Sequence, residues 1–174
     1  MCDRAPNFSP DGSKIVFFLY QAHLNKPGQI WVIDADGGNR KMLNNWGYRP
    51  AWSPDGKRIA FMSNKDCWAA WESADIYVMD ADGKNVKILT DIGPSWDDYC
   101  SWSPDGTKIV FCSDRDGNFE IYVMNADGSN VQRLTNTPAN NELEPDWTAS
   151  TYAVEPAGKL KSTWGEIKAL IRPH

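Results

Sequence analysis

The sequence predicts an all-β fold, a β-propeller segment of three four-stranded blades, and three observations predict it. A Ser-Pro-Asp-Gly turn occurs at 9–12, 53–56 and 103–106, each time directly after an aromatic residue. A second Gly-closed turn, "DADG" or "NADG", follows at 34–37, 80–83 and 125–128. The aromatic recurs as Phe8, Trp52, Trp102 and Trp147, at intervals of 44, 50 and 45 residues. That spacing is in or near the period of roughly 40–45 residues found in four-stranded propeller blades.

Each repeat is then read in order. A short segment ends in the aromatic and enters the turn, where Pro presets φ and Gly supplies φ > 0. "KIVFF", "RIAFMS" and "KIVFCS" follow as β-rich second strands. After a variable loop, "QIWVID", "DIYVMD" and "EIYVMN" form third strands that run into the second turn. "RKMLN", "VKILT" and "VQRLT" are the fourth strands. The apolar runs are nearly continuous rather than alternating, as expected of strands covered on both faces. One such sheet cannot bury both faces alone, so the repeat is a stacking unit.

Blades are expected at about 5–47, 48–97 and 98–143, with the first strand of a fourth at 143–148. Residues 1–149 thus make the propeller segment, and 150–174 a linker and a short C-terminal helix. The helix rests on the capping-box spacing Thr163 to Glu166, with Trp164, Ile167 and Ile171 on one face and Pro173 at its end.

The pattern W-S-P-D-G-x-x-I-x-F, then I-Y-V-M-[DN]-A-D-G, then L-T, resembles the TolB-like, or PD40, family of WD40-like repeats, over about residues 5–149. The resemblance implies six-bladed rings and roles as partner-binding propellers, as propeller domains of some serine peptidases, and as sensor or surface modules. It also implies a periplasmic or extracellular location, although this chain shows no signal peptide. Three blades form an open arc with a bare apolar face at each end. Two arrangements complete it: a homodimer in which blade 1 of each chain meets blade 3 of the other, or further blades upstream in a longer chain.

The turns are nearly invariant between blades, so function is expected on the opposite face, among the strand 2–3 loops and the inter-blade crossings. Candidate ligand or partner contacts there are Trp46, Tyr48, Trp68, Trp71, Trp96, Asp97, Asp98 and Arg115. Trp, Tyr and Arg are the usual anchors of binding surfaces, while Trp46 and Trp96 could equally plug gaps between blades. The expected function is a non-catalytic protein-binding scaffold; a self-assembling structural module and a glycan-binding module using loop tryptophans are the alternatives.

Net charge is −5 and no basic block occurs, which argues against a nucleic-acid partner. No run is long enough for a membrane span. The four cysteines lack C-x-x-C spacing. His23 and His174 are the only histidines, and "GPSWD" at 93–97 lacks the second Gly of a nucleophile elbow. No enzymatic activity, no cofactor and no metal are therefore expected. A calcium ion at Asp97 and Asp98, or at Asp114 and Asp116, is the weaker alternative.

Overall fold

A computed structural model of the chain describes residues 2–20, 27–65, 73–91, 93–147, 153–154, 160–161 and 167–170. Three antiparallel four-stranded sheets carry the fold. Blade 1 comprises β1 (Cys2–Phe8), β2 (Lys14–Tyr20), β3 (Gln29–Asp34) and β4 (Lys41–Asn44). Blade 2 comprises β5 (Tyr48–Trp52), β6 (Arg58–Ser63), β7 (Asp75–Asp80) and β8 (Lys87–Ile88). Blade 3 comprises β9 (Asp97–Trp102), β10 (Lys108–Ser113), β11 (Glu120–Asn125) and β12 (Gln132–Arg133). The first strands of successive blades pack on one another, so they form the inner end of each sheet.

The Ser-Pro-Asp-Gly turns are built alike. Gly12, Gly56 and Gly106 donate their N–H to the carbonyls of Ser9, Ser53 and Ser103 at 2.8–2.9 Å, and each Ser Oγ donates to the turn Asp at 2.6 Å. All three glycines sit at φ 68–70°, which a side chain rarely adopts. The serine hydroxyl beside Asp11, helped by the N–H and hydroxyl of Ser13, holds that carboxyl down at about 2.

The core lies between blades. Val16, Ile30 and Val32 of blade 1 meet Ile59, Phe61, Tyr77 and Met79 of blade 2. Ala60, Met62, Ile76 and Val78 from the other side of blade 2 meet Ile109, Phe111, Tyr122 and Met124 of blade 3. Near-continuous apolar strands are thus explained by two covered faces.

Beyond blade 3, β13 (Leu143–Trp147) takes the place against β9 and β10 that β9 takes against β5 and β6, with Leu143 and Trp147 against Val110, Cys112 and Ile121. The expected C-terminal helix is corrected here. Residues Ile167–Leu170 form a strand, β16, paired antiparallel with β13 through Leu143↔Leu170 and Trp147↔Ile167. A free strand edge offers a row of unpaired backbone groups, and pairing with it outweighs a weak helix that carries Gly165 near its start. A two-residue pair, β14 (Ala153–Val154) with β15 (Leu160–Lys161), lies between them in sequence.

Candidate functional site

Every first strand carries a register shift at the same place, between Arg4 and Asn7, Tyr48 and Ala51, Asp98 and Ser101, and Leu143 and Asp146. Inside these bulges Arg49, Tyr99 and Glu144 hold φ of 48°, 52° and 56°. Positive φ is uncommon for such residues, and bulges serve to re-aim side chains. The three occupy the same position in successive blades, three residues before the repeat aromatic. With Asn7, Ser101 and Asp146 they line a cavity of about 550 Å³ bounded by all four first strands.

On this wall the Arg49 guanidinium lies 4.0 Å from the Tyr99 ring centroid and donates to Tyr99 Oη at 3.1 Å. It also pairs with Asp98 Oδ2. Asp98 is buried, and its other oxygen accepts the Tyr99 N–H at 2.7 Å. Burial pushes the Asp98 carboxyl above its ordinary value, against the pull of Arg49. The wall therefore presents a stacked cation near blade 2 and carboxylates, Glu144 and Asp146, near β13.

A second charged layer runs outward along blade 3. Arg115 donates to Asp97 Oδ2 at 2.9 Å and to Ser113 Oγ at 2.8 Å, with its guanidinium 4.8 Å from the Tyr122 ring centroid. Tyr122 donates to Asp116 at 2.5 Å. Arg133 reaches both Asp116 (3.4 Å) and Glu120 (2.8 Å). Glu120 is fully buried and also accepts from Thr135 Oγ1 and Thr137 N. Burial works to raise its carboxyl, but these donors hold it near 2. Asp97 Oδ1 is buried and has no hydrogen-bond partner among the described residues.

The structure brings Trp96, Asp97, Asp98 and Arg115 together at the start of β9, where Trp96 N donates to Asp114 at 2.7 Å. Trp46 and Tyr48 lie apart, at the joint of blades 1 and 2. The Trp46 ring is 5.8 Å from Phe61 and 5.2 Å from Tyr77; Tyr48 is buried 5.6 Å from Phe18. Trp46 also borders a second cavity, of about 590 Å³, with Lys65, Asp75, Tyr77, Asp91 and Pro94. Trp68, Trp71 and His23 lie outside the described residues. Asp97 and Asp98, a candidate calcium pair in the sequence, face Arg115 and Arg49. Cys100 and Cys112 are buried free thiols, and burial raises Cys100 to about 12. Arg49, Tyr99 and Glu144 escaped the sequence reading, although their shared offset from the repeat aromatic was available as a signal.

The family model PD40, "TolB beta propeller domain", matches residues 4–155. The chain is 31% identical over 93 residues to "Uncharacterized peptidase YuxL" of Bacillus subtilis (strain 168), covering 50% of this chain and 14% of that protein. It is 40% identical over 63 residues to "Dipeptidyl-peptidase 5" of Porphyromonas gingivalis, covering 33% and 9%. The solved structure of putative TolB from Agrobacterium tumefaciens superposes with a TM-score of 0.68 and 25% identity, over 87% of this chain and 52% of that one. The chain thus spans about half of that solved chain and a small part of the two peptidases. These relatives correct the expectation that no enzyme is involved: the same blades occur in proteins named as peptidases.

Proposed function

Because the chain belongs to the TolB beta propeller domain family, we propose that it is a recognition module that binds a polypeptide segment at the cavity between its first strands. The observation carrying this reading is the repeated strained position, Arg49, Tyr99 and Glu144, along one cavity wall. Non-glycine residues at positive φ persist where the surrounding structure over-determines them, and they cluster at binding and active sites. An arginine stacked on a tyrosine, with carboxylates opposite, suits the mixed charge and carbonyl groups of an extended peptide. Rigid stacked blades lower the cost of ordering these side chains on binding. The peptidase relatives support a setting in which such a module serves peptide hydrolysis.

The test uses short fluorescein-labelled peptides tiling a reduced, carboxymethylated lactalbumin, with binding read by anisotropy. Saturable binding to a subset, weakened at least tenfold by Tyr99→Ala with the blades still folded, is the expected result. Uniformly absent binding, or binding indifferent to Tyr99→Ala and Glu144→Ala, would sink the reading.

A further inference from the structure

At one place on their outer strands blades 2 and 3 differ: blade 3 holds an arginine where blade 2 borders a cavity. Tyr122 pairs with Arg133 in blade 3, and Tyr77 with Ile88 in blade 2. By the same register Glu120, opposite Ser113, corresponds to Asp75, opposite Ser63. The frame beneath each carboxylate is the same. Ile121 N–H donates to Thr135 Oγ1 and Ile76 N–H to Thr90 Oγ1, both at 2.9 Å. Each threonine hydroxyl then donates to its carboxylate, Thr135 to Glu120 at 2.6 Å and Thr90 to Asp75 at 3.3 Å. One residue beyond these threonines, Asn136 corresponds to Asp91.

In blade 3 the Arg133 guanidinium uses this frame fully. It donates to Glu120 at 2.8 Å, to Asn136 Oδ1 at 3.1 Å and to the Thr135 carbonyl at 2.7 Å, and it reaches Asp116 at 3.4 Å. In blade 2 Ile88 brings no such group. The cavity of about 590 Å³ beside it is bordered instead by the counterparts of two of those acceptors, Asp75 and Asp91, both carboxylates. Tyr77 lines it in the position that Tyr122 holds beside Arg133. Val86, 38% exposed, and Ile88 give it an apolar side, of the kind that covers the methylene stem of a long cationic side chain. Asp75 is one methylene shorter than Glu120, which leaves more room above it. Charge points the same way. One ammonium borders the cavity, that of Lys65, which lies 4.9 Å from the centroid of the Trp46 ring. One further cation brings the described lining to neutrality.

We infer that this cavity is a binding site for an arginine side chain carried by a polypeptide partner. The guanidinium takes in blade 2 the place that Arg133 takes in blade 3, forked between Asp75 and Asp91 with its stem along Val86 and Ile88. A planar group with five donors in a fixed fork can serve two carboxylates at once, which a compact ammonium does less well. The inference stands on the comparison of two blades. It is independent of the cavity between the first strands, which other residues line.

The experiment titrates the isotope-labelled full chain with N-acetylarginine amide, and with its neutral isostere N-acetylcitrulline amide, while the Trp46 indole N–H signal is followed by nuclear magnetic resonance. The arginine amide should shift that signal saturably, and so should the peptide Gly-Ser-Gly-Arg-Gly-Ser-Gly; the citrulline amide should not. Ile88→Arg should supply the guanidinium from within, as Arg133 does in blade 3, and abolish the response. Asp91→Asn changes an exposed side chain, so it keeps the test decisive if Ile88→Arg fails to fold, and it should weaken binding about fivefold. Tyr99→Ala should leave the titration unchanged, which separates this site from the cavity between the first strands. No saturable shift, an equal response to citrulline, or binding of the amide without binding of the peptide would each overturn the inference. So would binding that persists in a folded Ile88→Arg, is indifferent to Asp91→Asn, or is lost in Tyr99→Ala.

Discussion

Arg58 of blade 2 holds its guanidinium 4.6 Å from the centroid of the Trp102 ring of blade 3, while the Trp102 indole N–H donates to the Ala51 carbonyl at 3.2 Å. One side chain thereby joins two blades by dispersion, cation–π attraction and a hydrogen bond. Trp102→Phe keeps most of the buried ring and removes the donor. Stability should fall by about 1–2 kcal/mol, read as the urea midpoint at unchanged slope.

Gly83 and Gly37 separate a joint from a turn. Both hold φ near 90°, so alanine strains the backbone at either site. At Gly37 that strain is the whole effect, about 1–2 kcal/mol. At Gly83 the new methyl would also meet the Leu43 carbonyl at 2.6 Å. Gly83→Ala should therefore lower the melting temperature clearly more than Gly37→Ala. Equal losses would mean that the blades part easily there.

Arg49→Met removes the partner of a buried carboxylate and keeps the apolar stem. Asp98 is then left to the Tyr99 N–H and the Trp96 side chain. A loss of about 2–3 kcal/mol at neutral pH is expected from an ion pair of this burial. The double variant Arg49→Met, Asp98→Asn should recover part of it, in a cycle read by chemical denaturation.

Glu120 gives an acid-dependent stability whose sign is fixed by its donors. Its folded value, about 2, lies below the ordinary 4.5. The contribution is complete above about pH 4.5 and is lost as pH falls from there toward about 2. Glu120→Gln should lower stability at pH 7 and flatten the decline across that window. Urea midpoints measured at intervals through the window check both effects.

The blades were legible in the sequence because their chemistry is local. Ser9 to Gly12 forms its own hydrogen-bonded turn, as do Ser53 to Gly56 and Ser103 to Gly106. The wall of the cavity was harder to read. Arg49 meets Asp98 and Tyr99 only through the pairing of blades, about fifty positions along the chain. The bulges that aim these side chains are matters of register. The sequence offers Trp46 either as a binding residue or as a plug, and its ring both touches Phe61 and Tyr77 and borders a cavity. The tail failed for the opposite reason. A good local helix signal at Thr163 to Glu166 could not report the free edge of β13, which decides the state of Ile167–Leu170. The missing catalytic motif described one segment only, and the peptidase relatives extend far beyond it.

The Gly83 and Gly128 contacts place backbone almost directly on backbone. Blade pitch is therefore set where no side chain can be traded for a larger one. The cavity bounded by the first strands inherits a fixed width from these outer glycines, while Arg49, Tyr99 and Glu144 differ from blade to blade. Such an architecture can change the lining of that cavity by single substitutions without altering the spacing of the blades.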